Sequence, residues 1–213
     1  SINQMIYSKL KKINPDIENI RFKYSIVEDI KKKDTIKYSV NGLYQNSTLY
    51  HIFNKLQTYK NCNLITLENY ALYSFSKELL TNCSFISIWY DNKKLVIVAG
   101  RKDELFYSRN ETFETTNINI TIELIKNISF IKHKIREVDF EVITINGSFH
   151  NEDEIFKDIY KQINIPISTF IPTKSKFRNF TVASFNQNII EIGSLYIDYS
   201  LDFTSKYIKS QNQ

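Results

Sequence analysis

Four glycines, three prolines and two cysteines are few for a chain of 213 residues. The scarcity of glycine argues against a loop-rich catalytic surface built on unusual backbone angles. Cys62 is expected near the end of a helix and Cys83 just before a strand, a placement that signals neither a disulfide framework nor a zinc site and fits a reducing compartment. His51, His133 and His150 are far apart, and none has a cysteine or carboxylate at a ligand spacing such as HxxxH. No metal site is indicated. The sequence contains neither the GxxxxGK[ST] phosphate loop nor the GxGxxG fingerprint, and its Gly-Ser pairs, Gly147-Ser148 and Gly193-Ser194, lack the GxSxG setting of a serine nucleophile. No apolar run approaches the roughly 18 to 20 residues that cross a bilayer, and no signal peptide opens the chain, so the chain as given is expected to be soluble.

What is present points to a folded protein. Hydrophobic residues make up 42% and aromatic residues 14%, spread along the whole length, enough to build a core in one domain or two small lobes. The heavy use of Ile, Asn and Lys is compatible with AT-rich coding, and Asn-x-Ser/Thr triplets such as Asn46-Ser47-Thr48 and Asn119-Ile120-Thr121 follow from that composition by chance. The net charge of +5 makes nucleic acid or an anionic membrane surface an alternative class of partner, one that steep salt dependence of binding would reveal. The basic residues, however, fall in small groups beside turns: Lys9, Lys11 and Lys12; Lys31 to Lys33; Lys174, Lys176 and Arg178. No basic-aromatic recognition motif accompanies them, so they read as solvated faces.

Periodicity supplies the elements. An amphipathic helix over 4–13 ends at Asn14-Pro15, and Ile20, Phe22, Tyr24 and Ile26 then alternate with polar residues as a strand. Ile36, Tyr38 and Val40 repeat the pattern, which makes an antiparallel hairpin. Ser47 can cap a helix with Leu49, Ile52, Phe53 and Leu56 on one stripe, and Thr66 a second with Leu67, Ala71, Phe75 and Leu79 four apart. Three short strands follow over 85–90, 95–99 and 105–108, with Asp91-Asn92 suited to the left-handed angles of a two-residue turn. A long helix carries Leu124, Ile125, Ile128, Ile131 and Ile135. Next comes a strand over 140–145 running into Asn146-Gly147, then a helix marked by Ile155, Phe156, Ile159 and Ile163. Its first-turn carboxylates, Glu152, Asp153 and Glu154, complement the helix dipole and read as structural. An extended segment begins at Ile165-Pro166-Ile167, a short element holds Phe180, Val182 and Phe185, and 189–199 reads as either helix or strand. The order βββαβαβ from residue 84 predicts a mixed α/β fold.

That order resembles one half of the actin and sugar-kinase superfamily, in which a β-meander with a phosphate-gripping first turn leads to a helix, a strand ending in glycines near adenosine, and another helix. The matching stretches are FISIWYDNKKLVIVAGRKDELFYSR, VITINGSF and INIPISTF. Within the superfamily the layout is most similar to the cytoplasmic domains of PilM proteins of type IV pili and GspL proteins of type II secretion. ITLENYALYSF is similar to the helix joining the lobes, and IIEIGSLYIDYSLDF to the segment that precedes the connection to the membrane. The resemblance, over about residues 15 to 205, implies a two-lobed actin-like (ribonuclease H-like) domain. Residues 1–80 would form a partial first lobe, 81–205 the second, and 206–213 a juxtamembrane-like tail. The family's first phosphate hairpin would lie upstream of Ser1, which implies a truncated or divergent version.

Departures from the family are as informative. A nucleotide-binding relative would carry an Asp-x-Gly-x-x-x-Thr-like turn, where this chain has Tyr90-Asp91-Asn92-Lys93-Lys94, and a glycine pair where this chain has Asn146-Gly147-Ser148. Asp91 and Gly147 alone remain as nucleotide-binding positions, should nucleotide binding persist. The resemblance therefore implies a non-enzymatic scaffold at the cytoplasmic face of a bacterial inner membrane, without catalytic residues, cofactor or metal. Its partners would be other platform proteins and the assembly ATPase of a secretion, pilus or DNA-uptake machine, with a homodimer as a further arrangement. No specific nucleic acid is implied, and the membrane would be reached through a segment outside the chain, after the basic Lys206 and Lys209. The alternatives are an active PilM-like protein binding ATP and magnesium, and the nucleic-acid or anionic-membrane module already named.

Overall fold

The computed structural model describes residues 2–13, 20–28, 36–44, 55, 66–114, 119–149, 152–172, 177 and 179–197. The chain divides into two compact units, Ser1–Thr66 with Asp198–Gln213, and Leu67–Ile197. In the first unit, α1 (Ile2–Ile13) buries Ile6 and closes with Lys11 and Lys12 at the negative end of its dipole. Strands β1 (Ile20–Glu28) and β2 (Ile36–Tyr44) form the expected antiparallel pair, in register from Ile20 opposite Tyr44 to Glu28 opposite Ile36. The helix expected after Ser47 lies outside the described residues, apart from Lys55, which is helical. The tail expected over 206–213, together with Cys62, His51 and His150, also lies outside them.

The second unit opens with α2 (Glu68–Leu79) and the meander β3 (Phe85–Asp91), β4 (Lys94–Arg101) and β5 (Glu104–Thr112). It continues through α3 (Ile120–Lys134), β6 (Val142–Ser148), α4 (Glu152–Ile163), β7 (Ile167–Ser168), α5 (Val182–Gln187) and α6 (Ile189–Ser194). One sheet in the order β5-β4-β3-β6-β7 joins the strands. The β3–β4 and β4–β5 pairs are antiparallel, and β6 runs parallel to both β3 and β7. Side chains alternate across a strand, so each sheet face has its own set. Ile86, Ile88, Tyr90, Leu95, Ile97, Ala99, Ile143 and Ile145 form a core with Leu124, Ile128 and Ile131 of α3 and Ile155, Ile159 and Ile163 of α4. On the opposite face, Tyr73 of α2 packs beside Phe85 with ring centroids 6.2 Å apart, and the Trp89 indole reaches α5. The result is a sheet sandwiched between two helical layers.

Several sequence expectations are corrected. Thr66 does not cap α2: the N-cap is Leu67, which makes no side-chain cap bond, while Glu68 supplies the acidic group favoured in the first turn. Nor does α2 bury a single stripe; residues 69–76 are buried all round, whereas Leu79 is 40% exposed. The β3–β4 turn falls on Asn92-Lys93 because Asp91 pairs with Lys94, and neither turn residue has positive φ. The sixth strand starts later and runs further than 140–145, because parallel pairing with β3 continues to Ser148 opposite Asp91. Residues 189–194 are helical, which decides that element. Gly193 lies where α6 meets α2, and a Cβ there would stand 2.2 Å from the Ala71 carbonyl oxygen.

Candidate functional site

Asp91 and Gly147, 56 positions apart in sequence, lie side by side at the carboxyl ends of two parallel strands: Gly147 is opposite Tyr90 and Asp91 is opposite Ser148. In open α/β sheets that end of the strands is the usual place for a ligand. Asp91, Asn92 and Lys93 are exposed there. Lys94 points back into an ion pair with both carboxylate oxygens of Glu68 at the start of α2, and Asn110 of β5 donates to Glu68 Oε2 at 3.3 Å. The hairpin closes on itself, since Lys93 N–H donates to the Asp91 carbonyl and Phe113 N–H donates to the Lys93 carbonyl at 2.7 Å.

Gly147 has φ of 120°, a conformation that L side chains rarely adopt, and a Cβ built on it would lie 1.9 Å from the Tyr90 carbonyl oxygen. Its missing side chain therefore serves the close approach of β6 to β3. The adjoining space is aromatic: the Tyr90 ring lies 5.2 Å from Phe149 and 6.5 Å from Phe113, and Phe149 lies 6.5 Å from Phe156. Burial, and secondarily the Asp91 carboxylate, push the Tyr90 phenol above its ordinary range. A phosphate cradle needs backbone N–H groups free to converge and room for close approach. In the Asn92-Lys93 turn the Lys93 N–H is already taken by the Asp91 carbonyl.

The remaining candidates do not gather at this place. His133 lies near the end of α3 against Arg136, whose Nε donates to the His133 carbonyl at 3.1 Å. The half-buried Cys83 thiol donates to the Leu80 carbonyl at 3.8 Å, and burial, then Glu141, push it up, away from a reactive thiolate. Among the described residues no group of three His, Cys, Asp or Glu side chains is placed to hold a metal ion. Likewise no described helix is long and apolar enough to cross a membrane. Lys9, Lys11 and Lys12 are clustered on α1, whereas the other two basic groups lie outside the described residues.

Sequence reasoning missed a buried polar seam on the α2/α5 face of the sheet. Thr144 donates to Ser87 at 2.8 Å, Asn146 donates to Asn186 at 2.7 Å, and the Trp89 indole N–H donates to the carbonyls of Asn186 and Gln187 at 3.2 Å each. The available signal was polar residues at alternate positions of otherwise apolar strands: Ser87 in β3, and Thr144 and Asn146 in β6.

The second unit is a mixed sheet with an antiparallel meander on one side and a parallel crossover on the other, between helical layers, and the chain has the actin-like ATPase fold of its structural neighbours. Among solved structures, it is similar to the PilM–PilN type IV pilus biogenesis complex, with a TM-score of 0.62 and 12% identity over 91% of this chain and 71% of the matched one. It is also similar to a Bacteroides thetaiotaomicron protein with an actin-like ATPase fold and unknown function, with a TM-score of 0.50 and 12% identity over 92% of this chain. The chain spans 66% of that protein's length. No protein-family model and no curated protein matches the sequence.

Proposed function

We propose that this chain is a non-enzymatic scaffold domain of an assembly platform in a type IV pilus, type II secretion or DNA-uptake machine. Its partners are other platform proteins and the assembly ATPase, at the cytoplasmic face of a bacterial inner membrane that it reaches through a segment outside this chain. The fold likeness to the PilM–PilN complex supports a place in such a machine. The observation that carries the non-enzymatic part is the Tyr90 carbonyl standing where a Gly147 side chain would point, beside a turn without glycine. A strand contact, rather than a ligand, explains why residue 147 is glycine.

Thermal unfolding with and without millimolar ATP and magnesium tests this reading, because a ligand at 100 times its dissociation constant stabilises by about 2.7 kcal/mol. No shift is expected. A magnesium-dependent rise in midpoint would overturn the scaffold reading in favour of a PilM-like ATP binder, with Asp91, exposed at the strand end, near the metal-bound phosphate. Cross-linking in cells supplies the second arm: platform proteins or the assembly ATPase should be recovered with the chain, and their absence from the linked products would count against the proposed partners.

A further inference from the structure

At one edge of the sheet β7 has only two residues, whereas at the other β5 runs for nine and has β4 as its single neighbour among the described residues. An edge strand of that length presents a row of outward N–H and C=O groups to any chain that can pair with it. The irregularity in β5 is confined to its start: Tyr107 faces Ala99 and Leu105 faces Gly100, so Phe106 is the extra residue of a bulge. From Tyr107 to Thr112 the pairing with β4 is regular. That leaves a regularly paired template six residues long, Tyr107 to Thr112.

Beside the template lies one face of α3. Asn127, Phe130 and Lys134 are three and four residues apart, the spacing of neighbours on a helix surface. Arg109 Nη1 donates to Asn127 Oδ1 at 3.1 Å, the Tyr107 and Phe130 rings meet edge to face at 5.9 Å, and Lys134 Nζ lies 5.2 Å and 5.6 Å from their respective centroids. Phe130 is 47% exposed. A strand added to β5 at the usual spacing of about 4.8 Å would run alongside this face.

The charges select what can be added. Arg101, Arg109 and Lys126 are paired with Glu104, Glu111 and Glu123. Of the basic residues at the end of α3, Lys132 turns to the Ile163 carbonyl at 3.1 Å and Arg136 to His133, which leaves Lys134 beside Tyr107 and Phe130, without a carboxylate partner among the described residues. Basic residues in a last turn suit the helix dipole, but that does not account for an exposed phenylalanine beside a strand edge that is unpaired among the described residues. We infer that the β5 edge and the exposed Phe130–Lys134 face of α3 form a docking site for an extended acidic segment of a partner protein, which adds as a sixth strand. Main-chain bonds to β5 would hold it, an apolar side chain would cover Phe130, and a carboxylate would meet Lys134. The inference stands on the edge and its charges and does not depend on the assembly-platform reading.

The test uses a fluorescein-labelled peptide of alternating Glu and Val, as long as β5, against a Lys-Val peptide of the same pattern. Binding is read by fluorescence anisotropy and the site by amide hydrogen exchange. The acidic peptide should bind and slow exchange in β5, and Lys134→Glu should weaken it at least about tenfold. Lys161→Glu on α4 should not, although it changes net charge equally. Both variants should remain folded, with unfolding midpoints lowered by no more than a few degrees through the lost surface contacts. No binding of the acidic peptide, equal loss in the two variants, or no added protection in β5 would overturn the proposal. Concentration-dependent protection of β5 without peptide would give the edge to a second copy, and would overturn it too.

Discussion

The side-chain amide of Asn146 in β6 donates to the side-chain carbonyl of Asn186 in α5 across 2.7 Å, fully inside the second unit. Asn146 also exchanges two long bonds of 3.5 Å with the backbone of Phe170, and Trp89 donates to the carbonyl of Asn186 itself. Polar groups this far from water need each other, because an orphaned partner loses its solvation with nothing in return. The seam thereby fixes where α5 sits on the sheet.

Replacing Asn186 with Ala should destabilise the protein by about 1–3 kcal/mol, and Asn146→Ala should do the same. The double variant should cost less than the two added together, since each single change already breaks the shared bond. Urea unfolding followed by the fluorescence of Trp89, the only tryptophan, measures all three. Strict additivity would show that the pair is not coupled.

Gly147→Ala and Gly193→Ala should each cost at least about 2 kcal/mol, since the new Cβ would press on the Tyr90 carbonyl in one case and the Ala71 carbonyl in the other. Asp91→Ala, on an exposed side chain, should stay within about 0.5 kcal/mol of the parent. A tolerated Gly147→Ala would remove the structural account of that glycine and leave close approach of a ligand as its reason.

Alkali should unfold the protein through its buried tyrosines. Burial pushes the phenols of Tyr70 and Tyr90 above the ordinary value near 10. The unfolded chain therefore releases these protons first as pH rises. The stability that the two groups contribute is fully present below about pH 10 and is lost progressively above it, toward their folded-state values. Denaturant midpoints across that range should fall, and Tyr70→Phe should flatten the slope. Asp91→Asn should lower the Tyr90 pKa in a phenolate absorbance titration, because the Asp91 carboxylate is the second cause of its rise.

Much of the second unit could be read from short-range pattern. The short apolar run from Phe85 to Tyr90 before a polar turn marks a strand, and the spacing of Leu124, Ile128 and Ile131 marks a helix, because both patterns lie within the segment itself. Asp91 and Gly147 could likewise be picked out one at a time.

Their adjacency could not, since it arises from β6 pairing in parallel with β3 after α3 has crossed between them. The same pairing carries Asn146-Gly147 through a strand where the dipeptide alone signals a turn. Positive φ at glycine serves a turn or a close strand contact equally well, and only the neighbour decides which. Local sequence thus determined most of the strands and helices, residues 189–194 apart, and the apolar faces of α3 and α4. The tertiary structure decided the partners of those faces, the burial of Asn146 and the place of β5 at the sheet edge among the described residues, because these are properties of packed neighbours far away in the chain.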